Sequence, residues 1–296
     1  MSWQILILLQ VLLLSTGVIF LRAMARQRSL ANASLAVNAV VYVFIFAGGL
    51  LSLPLLSNIE PDKFTQFFGF FIIAALTFSL SNIFSYKLLT HIEAGVGSIM
   101  AAISTLFTII LAAIFLKEDL TPIQIMGALT LLVAIIYMIH LVRKHPHKTQ
   151  RPNSWYIGPF YALLVGIFGS IALVVEKYLL NHTHMSTYMF FGWGMQMLAA
   201  ISMGLLFEAD KFKLFKKLST LKLLVASGVS RTLASICFVL ALVKANNISV
   251  ITVASSFRLI VIVLLGAIFL HEHQKLHKKL AGSVIAILGL SFIFWK

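Results

Sequence analysis

Acidic residues are scarce in this chain, which has only nine Asp and Glu among its 296 residues, against 23 Lys and Arg. Charged residues of both signs make up 11% of the sequence, whereas about a quarter is usual in soluble domains. Hydrophobic residues make up 60%. A soluble fold could not bury so much apolar surface, so the composition indicates a membrane protein.

Cysteine is almost absent as well. The single Cys237 excludes an intramolecular disulfide and a thiolate metal site. His273 and His277 stand one helical turn apart, but in a cationic loop without Asp or Cys, so we expect no metal site. No loop carries a nucleophile with a base or a glycine-rich phosphate loop, so we expect neither an enzyme nor a cofactor. The first apolar run begins at Trp3 and is expected to be a retained helix rather than a signal peptide.

Ten apolar runs are long enough to cross a bilayer, which takes about 20 helical residues. They lie at about residues 3–21, 32–54, 66–89, 94–116, 122–142, 155–176, 186–207, 220–243, 248–270 and 277–295. Thr121 before Pro122, with Gln124 three residues later, predicts a capped start for the fifth run. We therefore predict an all-α integral membrane protein with ten transmembrane helices, here called spans 1 to 10; loop n follows span n.

The chain contains an internal repeat. The hexapeptide AIFLKE at residues 113–118 recurs as AIFLHE at residues 267–272, a spacing of 154 residues. This spacing divides the chain into a first repeat at residues 1–145, a cationic linker at 146–154 and a second repeat at 155–296. Each repeat holds five spans, an odd number, so two copies of one fold must insert in opposite orientations. The predicted fold is therefore two inverted five-helix repeats.

Lys and Arg are distributed very unequally between the loops. Sixteen of the twenty loop cations, Arg22 and Lys279 among them, lie in or beside odd-numbered loops. Cytoplasmic loops collect positive charge, so we expect the odd loops in the cytoplasm and both termini on the far side. The net charge of +14 then reflects membrane topology, and no nucleic-acid partner is expected. We expect a bacterial cytoplasmic membrane as the location.

The paired hexapeptides, a glycine shortly after each (Gly127 and Gly282) and the five-plus-five arrangement of spans resemble the EamA-type transporters of the drug/metabolite transporter superfamily. The resemblance covers essentially the whole chain. It implies a carrier or exporter of a metabolite, with a central site between the repeats. Many relatives carry proline in spans 4 and 9, at positions where this chain has Thr105 and Leu259.

Two arginines lie near the middle of predicted spans, Arg231 in span 8 and Arg258 in span 9. Each costs about 2.5–3.5 kcal/mol on insertion scales, so each needs an explanation. Anion or carboxylate binding is one, and an internal lock between helices is the other. Glu176, the one carboxylate predicted within a span, is an arginine partner or a proton-coupling site, or else a locally paired residue that reaches the membrane interface. Glu118 and Glu272 are expected to be structural caps.

Further polar residues are candidates to line the same cavity, although helix-to-helix hydrogen bonding is the commoner role for each one alone. The candidate substrate-binding set is Arg258, Arg231, Ser255, Asn82, Tyr86, Trp193, Gln196, Asn38 and Tyr42. We predict a secondary carrier of a small metabolite with an anionic or carboxylate group, working by alternating access. The lipid bilayer and a coupled ion or counter-substrate are its expected partners, and a monomer suffices for a site. The alternative is an exporter of drugs or neutral metabolites in which the arginines are structural.

Overall fold

A computed structural model describes residues 2–52, 59–115, 121–144, 154–244 and 254–293. Helix dominates this part of the chain, and we number the ten membrane helices α1 to α10. They are α1 (Trp3–Ala25), α2 (Ser34–Ser52), α3 (Phe68–His91), α4 (Ala94–Ala101 and Ile103–Phe115), α5 (Pro122–Lys144), α6 (Ser154–His182), α7 (Trp193–Glu208), α8 (Leu218–Lys244), α9 (Ala254–Leu270) and α10 (Leu276–Ile293). Within the described ranges, nine of them are long and apolar enough to cross a membrane, and α9 is the shorter one.

Shorter segments connect these helices. Pro61–Gln66 precedes α3, Met185–Thr187 and a π-helical turn at Tyr188–Gly192 lead into α7, and a 3-10 helix at Ala209–Lys216 follows it. The predicted cap of α5 is confirmed, because the Thr121 N–H donates to Gln124 Oε1 at 2.9 Å and the Gln124 N–H donates to Thr121 Oγ1 at 3.3 Å.

The packing of the helices follows the internal repeat, in which α1 to α5 correspond to α6 to α10. α1 packs against α8 and α6 packs against α3, which are equivalent pairs. Two further sets of contacts are equivalent in this way: α1 packs against α9 as α6 packs against α4, and α2 packs against α8 as α7 packs against α3. Three other contacts join a helix to its own counterpart in the other repeat, namely α2 to α7, α4 to α9 and α5 to α10. The predicted fold class is confirmed, and the two repeats interlock instead of lying side by side.

Glycines bring α5 and α10 close together. A Cβ atom on Gly127 would lie 2.6 Å from the Gly289 carbonyl oxygen, and one on Gly289 would lie 2.7 Å from the Leu131 nitrogen. A Cβ atom on Gly282 would lie 2.0 Å from the Met138 Cε atom. Small residues at such contacts let helix backbones approach in a membrane. Both glycines that follow the repeated hexapeptide therefore serve the α5–α10 contact.

Two membrane helices are interrupted at nearly equivalent positions, which the hydropathy of spans 4 and 9 did not indicate. α4 turns at Ala102, where the Thr105 N–H donates back three residues to the Ala102 carbonyl at 3.0 Å. α9 turns at Phe257, where the Ile260 N–H donates to the Phe257 carbonyl at 3.1 Å. Such 3-10 turns within a helix often mark functional hinges. They form here without proline, close to the positions where many relatives carry one.

Four charged side chains are buried at the odd-loop end of the bundle. Arg22 Nε lies 2.9 Å from Glu272 Oε1, and Lys279 Nζ lies 2.5 Å from Glu93 Oε2. Their exposed fractions are only 1% to 4%. Counting Arg22 and Lys279 among the loop cations was wrong, because each lies inside the protein next to a carboxylate. The other cations of these loops still favour the same topology.

Glu272 has the capping role that the sequence suggested. Its Oε2 atom accepts the Ala94 N–H, at the start of α4, at 3.0 Å. Its own carbonyl accepts a hydrogen bond from Lys279 Nζ at 2.8 Å. Burial raises the pKa of the Glu93 carboxyl, which lies between α3 and α4, and the neighbouring Lys279 ammonium opposes this rise. Glu118, the counterpart of Glu272, lies outside the described residues.

Candidate functional site

A chain of hydrogen bonds joins α8, α3 and α2 near the middle of the bundle. Arg231 Nη2 donates to Asn82 Oδ1 at 2.7 Å. Asn82 Nδ2 donates in turn to the Tyr42 hydroxyl at 2.6 Å and to the Phe78 carbonyl at 3.1 Å. The Asn82 amide is therefore oriented from both ends, and it presents a neutral acceptor to the arginine.

Small residues hold the stem of Arg231 in place. A Cβ atom on Gly17 in α1 would lie 2.9 Å from Arg231 Cγ, so the stem lies directly on the α1 backbone. Ser227, one turn before Arg231, donates to the Gly17 carbonyl at 3.3 Å. Ser227 and the stem of Arg231 thus pack α8 against α1, while the guanidinium group reaches beyond this contact. Within the described part of the chain, Arg231 forms no ion pair.

Arg258 is the first residue of α9 after the turn at Phe257. Its side chain is exposed, although the residue itself lies inside the membrane helix, far from the helix end at Leu270. It is close enough to Arg231 for the two positive charges to repel each other. Among the residues that the structure describes, no carboxylate or hydrogen-bond acceptor contacts Arg258. The part of α9 after the turn, Arg258–Leu270, adds the partial positive charge of its N-terminus to the same region.

A second polar cluster joins α6 and α7. The Tyr188 hydroxyl donates to the Glu176 carboxylate and accepts a hydrogen bond from Gln196 Nε2 at 3.3 Å. The Gln196 carbonyl accepts a hydrogen bond from Ser79 Oγ at 3.4 Å. Tyr42 lies within electrostatic range of both Glu176 and Arg231. Tyr42 is thus hydrogen-bonded to the first cluster and lies within electrostatic range of the second.

Tyr188 belongs to this cluster but was not among the residues predicted for the site. It lies in the π-helical turn before α7, where only 3% of its surface is exposed. π-Helical turns are frequent at functional sites, but the hydropathy of the chain gives no sign of one. The single sequence signal was a tyrosine near the start of a predicted span.

Some of the predicted residues lie apart from these clusters. The Tyr86 hydroxyl donates to the Leu30 carbonyl at 3.1 Å, at the odd-loop end. Trp193 packs against α2, since a Cβ atom on Gly49 would lie 2.7 Å from its ring. These contacts give both side chains a role in helix packing.

The remaining candidates lie close to the central residues. Asn38 Nδ2 donates to the Ser79 carbonyl at 3.5 Å, a weak contact between α2 and α3. Ser255 is buried in the short segment before the turn that leads to Arg258. The structure thus brings together six of the ten predicted residues, namely Tyr42, Asn82, Glu176, Gln196, Arg231 and Arg258.

A family model for EamA-like transporters matches this chain twice, at residues 1–140 and again at residues 156–295. The chain belongs to the EamA-like transporter family. The resemblance noted in the sequence is therefore confirmed, and the protein is a multi-pass membrane transporter of the drug/metabolite type. This EamA-like family is one of transporters, not of enzymes. A comparison with curated proteins gave no match.

Proposed function

We propose that this EamA-like protein is a secondary carrier of a small metabolite with an anionic or carboxylate group. It works by alternating access to a site between the two repeats in the bacterial cytoplasmic membrane. The observation that carries the proposal is Arg258, an arginine at the start of an interrupted helix, without a counter-charge in the described part of the chain.

The contacts of the arginines favour a substrate site over a helix lock. A lock would supply a carboxylate or several carbonyl groups to each guanidinium, because an uncompensated charge inside a membrane protein is expensive. Arg231 instead has a neutral amide as its partner, and the buried carboxylates Glu93 and Glu272 pair with other cations. A substrate anion would supply the missing charge, and the planar fork of a guanidinium matches a carboxylate or phosphate.

The interrupted helices support the same conclusion. In many secondary carriers, broken helices present their half-helix ends to the substrate near the midplane. The break in α9 places a helix N-terminus and the Arg258 guanidinium together, and α4 is broken at almost the equivalent position. Breaks in both repeats also give the two halves points about which to move during alternating access.

Glu176 is proposed as the site of a coupled proton. It is the carboxylate of the α6–α7 cluster, where Tyr188 is its hydrogen-bond partner, and it lies within electrostatic range of Tyr42. Tyr42 contacts Asn82, the partner of Arg231, so protonation of this carboxyl group would remove a negative charge from the surroundings of that group and would favour an anion there. Binding of the proton and of the anion would then support each other.

The test begins with the purified protein in detergent, screened by thermal shift against amino acids, nucleotides, phosphorylated sugars and drugs. We expect stabilisation by an anionic class of compound. Arg258→Ala should weaken binding of the best ligand by about 10–150-fold, the loss of about 1.5–3 kcal/mol that one charged hydrogen bond contributes. Arg258→Lys should recover binding only in part, because an ammonium lacks the two-pronged geometry.

Melting temperature separates this function from its alternative. Removal of an unpaired arginine should leave the melting temperature of the free protein near that of the parent. A much lower melting temperature together with unchanged ligand binding would show that Arg258 is structural. The protein would then be better explained as an exporter of neutral or amphipathic compounds.

A further inference from the structure

The buried ion pairs at the odd-loop end connect the two repeats. Arg22 and Glu93 belong to the first repeat, and their partners Glu272 and Lys279 belong to the second. The Arg22 guanidinium also donates to the Leu89 carbonyl at the end of α3. We call these four charged residues the ionic cluster. Both of its ion pairs cross the boundary between the repeats, so the cluster fastens one repeat to the other.

Apolar residues from both repeats seal the same end of the bundle. They form one packed cluster with contributions from α1, α2 and α3 of the first repeat and from α8 and α9 of the second. Its buried members include Met24, Val37, Leu89, Leu224 and Ile262. This apolar packing lies between the two repeats and opposes the entry of water from the odd-loop side while this end is closed.

Stability alone is a poor explanation for the ionic cluster. Burying charges costs free energy that pairing only partly recovers, so apolar side chains could often join the repeats equally well. Arg22 Nη2 is moreover buried without a hydrogen-bond partner in the described part of the chain. An ion pair differs from an apolar contact in one respect: when the contact opens, water can solvate both of its charged groups. This property suits an interface that separates and closes repeatedly.

The contacts observed at the even-loop end are of a different kind. There Glu60 of the first repeat accepts the His184 N–H at 3.0 Å, and its own N–H donates to Thr187 Oγ1 at 2.8 Å. These hydrogen bonds are exposed or only partly buried. Such contacts exchange readily with water, so these two hydrogen bonds restrain the repeats less than the buried ion pairs of the odd-loop end do.

We propose that the ionic cluster is a gate that holds the odd-loop end of the carrier closed in its resting state. The gate opens when the Arg22–Glu272 and Lys279–Glu93 pairs separate and become hydrated, which exposes the arginine site to that side. The inference rests on the alternating access of the proposed function, but not on the identity of the substrate. While both ion pairs are intact, the carrier is closed toward the odd loops.

Cysteine accessibility tests the gate without any substrate. Cys237→Ser removes the native thiol, and Val37→Cys then places a reporter in the apolar cluster that seals the odd-loop end. A membrane-impermeant thiol reagent is added to either side of oriented vesicles. In the parent we expect little labelling from the odd-loop side. The double variant Arg22→Gln with Glu272→Gln should raise it by about tenfold, because it weakens the closed state without leaving a charge unpaired.

The neighbouring lysines provide a matched pair of variants. Lys279→Met removes a member of the ionic cluster, whereas Lys278→Met removes the same charge one residue away, outside the cluster. We expect labelling to increase for Lys279→Met and to stay at the parent level for Lys278→Met. Size-exclusion chromatography and melting temperature confirm that each variant is folded before it is labelled.

Unchanged labelling in folded cluster variants would overturn the gate and would leave a permanent anchor as the role of the ion pairs. An equal increase in Lys278→Met would also overturn it, since any lost cation at this end would then have the same effect. Failure of the proposed function has a different signature. In that case Arg258→Ala binds every ligand as the parent does, whatever the labelling shows.

Discussion

Asn82 offers the sharpest test of whether Arg231 is free to bind a substrate anion. Asn82→Asp preserves the size and shape of the side chain, so one carboxylate oxygen takes the place of Oδ1, 2.7 Å from Arg231 Nη2. Opposite charges about 4 Å apart attract by about 4 kcal/mol at an effective dielectric constant of about 20. The aspartate would therefore neutralise the arginine from within the protein.

The expected result is a large loss of ligand binding without a loss of stability. A substrate anion deprived of one charged hydrogen bond loses about 1.5–3 kcal/mol, which corresponds to binding weakened by about 10–150-fold. The melting temperature of the ligand-free protein should stay near that of the parent, since the new ion pair with Arg231 offsets the loss of the hydrogen bond from Nδ2 to the Phe78 carbonyl. Isothermal titration with the best anionic ligand and thermal unfolding in detergent measure the two quantities.

Asn82→Leu is the matched control, because it has similar volume and no charge. It removes the amide that contacts Arg231 and Tyr42 but leaves the guanidinium charged. We expect a lower melting temperature and binding within a few-fold of the parent, on the order of one neutral hydrogen bond. Unchanged binding in Asn82→Asp would refute the anion site at Arg231. Equal losses of binding in the two variants would show that the charge of the aspartate is not the cause.

Three further predictions concern packing, coupling and topology. Gly127→Ala should destabilise the protein by about 1–3 kcal/mol in thermal unfolding, because its Cβ atom would meet the α10 backbone. Gly69→Ala, with no atom within 4 Å of the new Cβ, should have no such effect, and equal shifts would contradict the packing argument. Glu176→Gln should retain ligand binding but abolish the dependence of uptake into proteoliposomes on a pH gradient; unchanged dependence would exclude Glu176 as the coupling site. A cysteine at Ser154 should react with an impermeant reagent only from the cytoplasmic side, and reaction only from outside would reject the topology.

Several features of this carrier followed from its sequence alone. A helix in lipid must satisfy its backbone hydrogen bonds internally, so each apolar run of sufficient length predicts one membrane helix. The hexapeptide occurs twice, ending once at Glu118 and once at Glu272. Its two copies lie at equivalent positions of the two halves, so the sequence alone indicated the repeat. Arg231 and Arg258 were conspicuous for a similar reason: a charge within an apolar run is expensive wherever the helix lies.

The tertiary structure decided which polar groups meet. Arg22 and Glu272 lie 250 residues apart, and nothing local in the sequence links them. Arg22 was therefore predicted to be a loop cation and Glu272 to be a helix cap. Hydropathy averages over a helix and gives no helix rotation, so it could not show that Asn82 faces Arg231 while Tyr86 turns toward Leu30.

The helix breaks at Ala102 and Phe257 also depended on tertiary structure, since neither position carries the proline or glycine that marks a break locally. The membrane fixes the length of each helix through local hydrophobicity. Contacts between helices fix their rotation, their breaks and their ion pairs. The number of spans and the repeat could therefore be read from the chain, whereas the gate and the grouping of the site residues required the folded bundle.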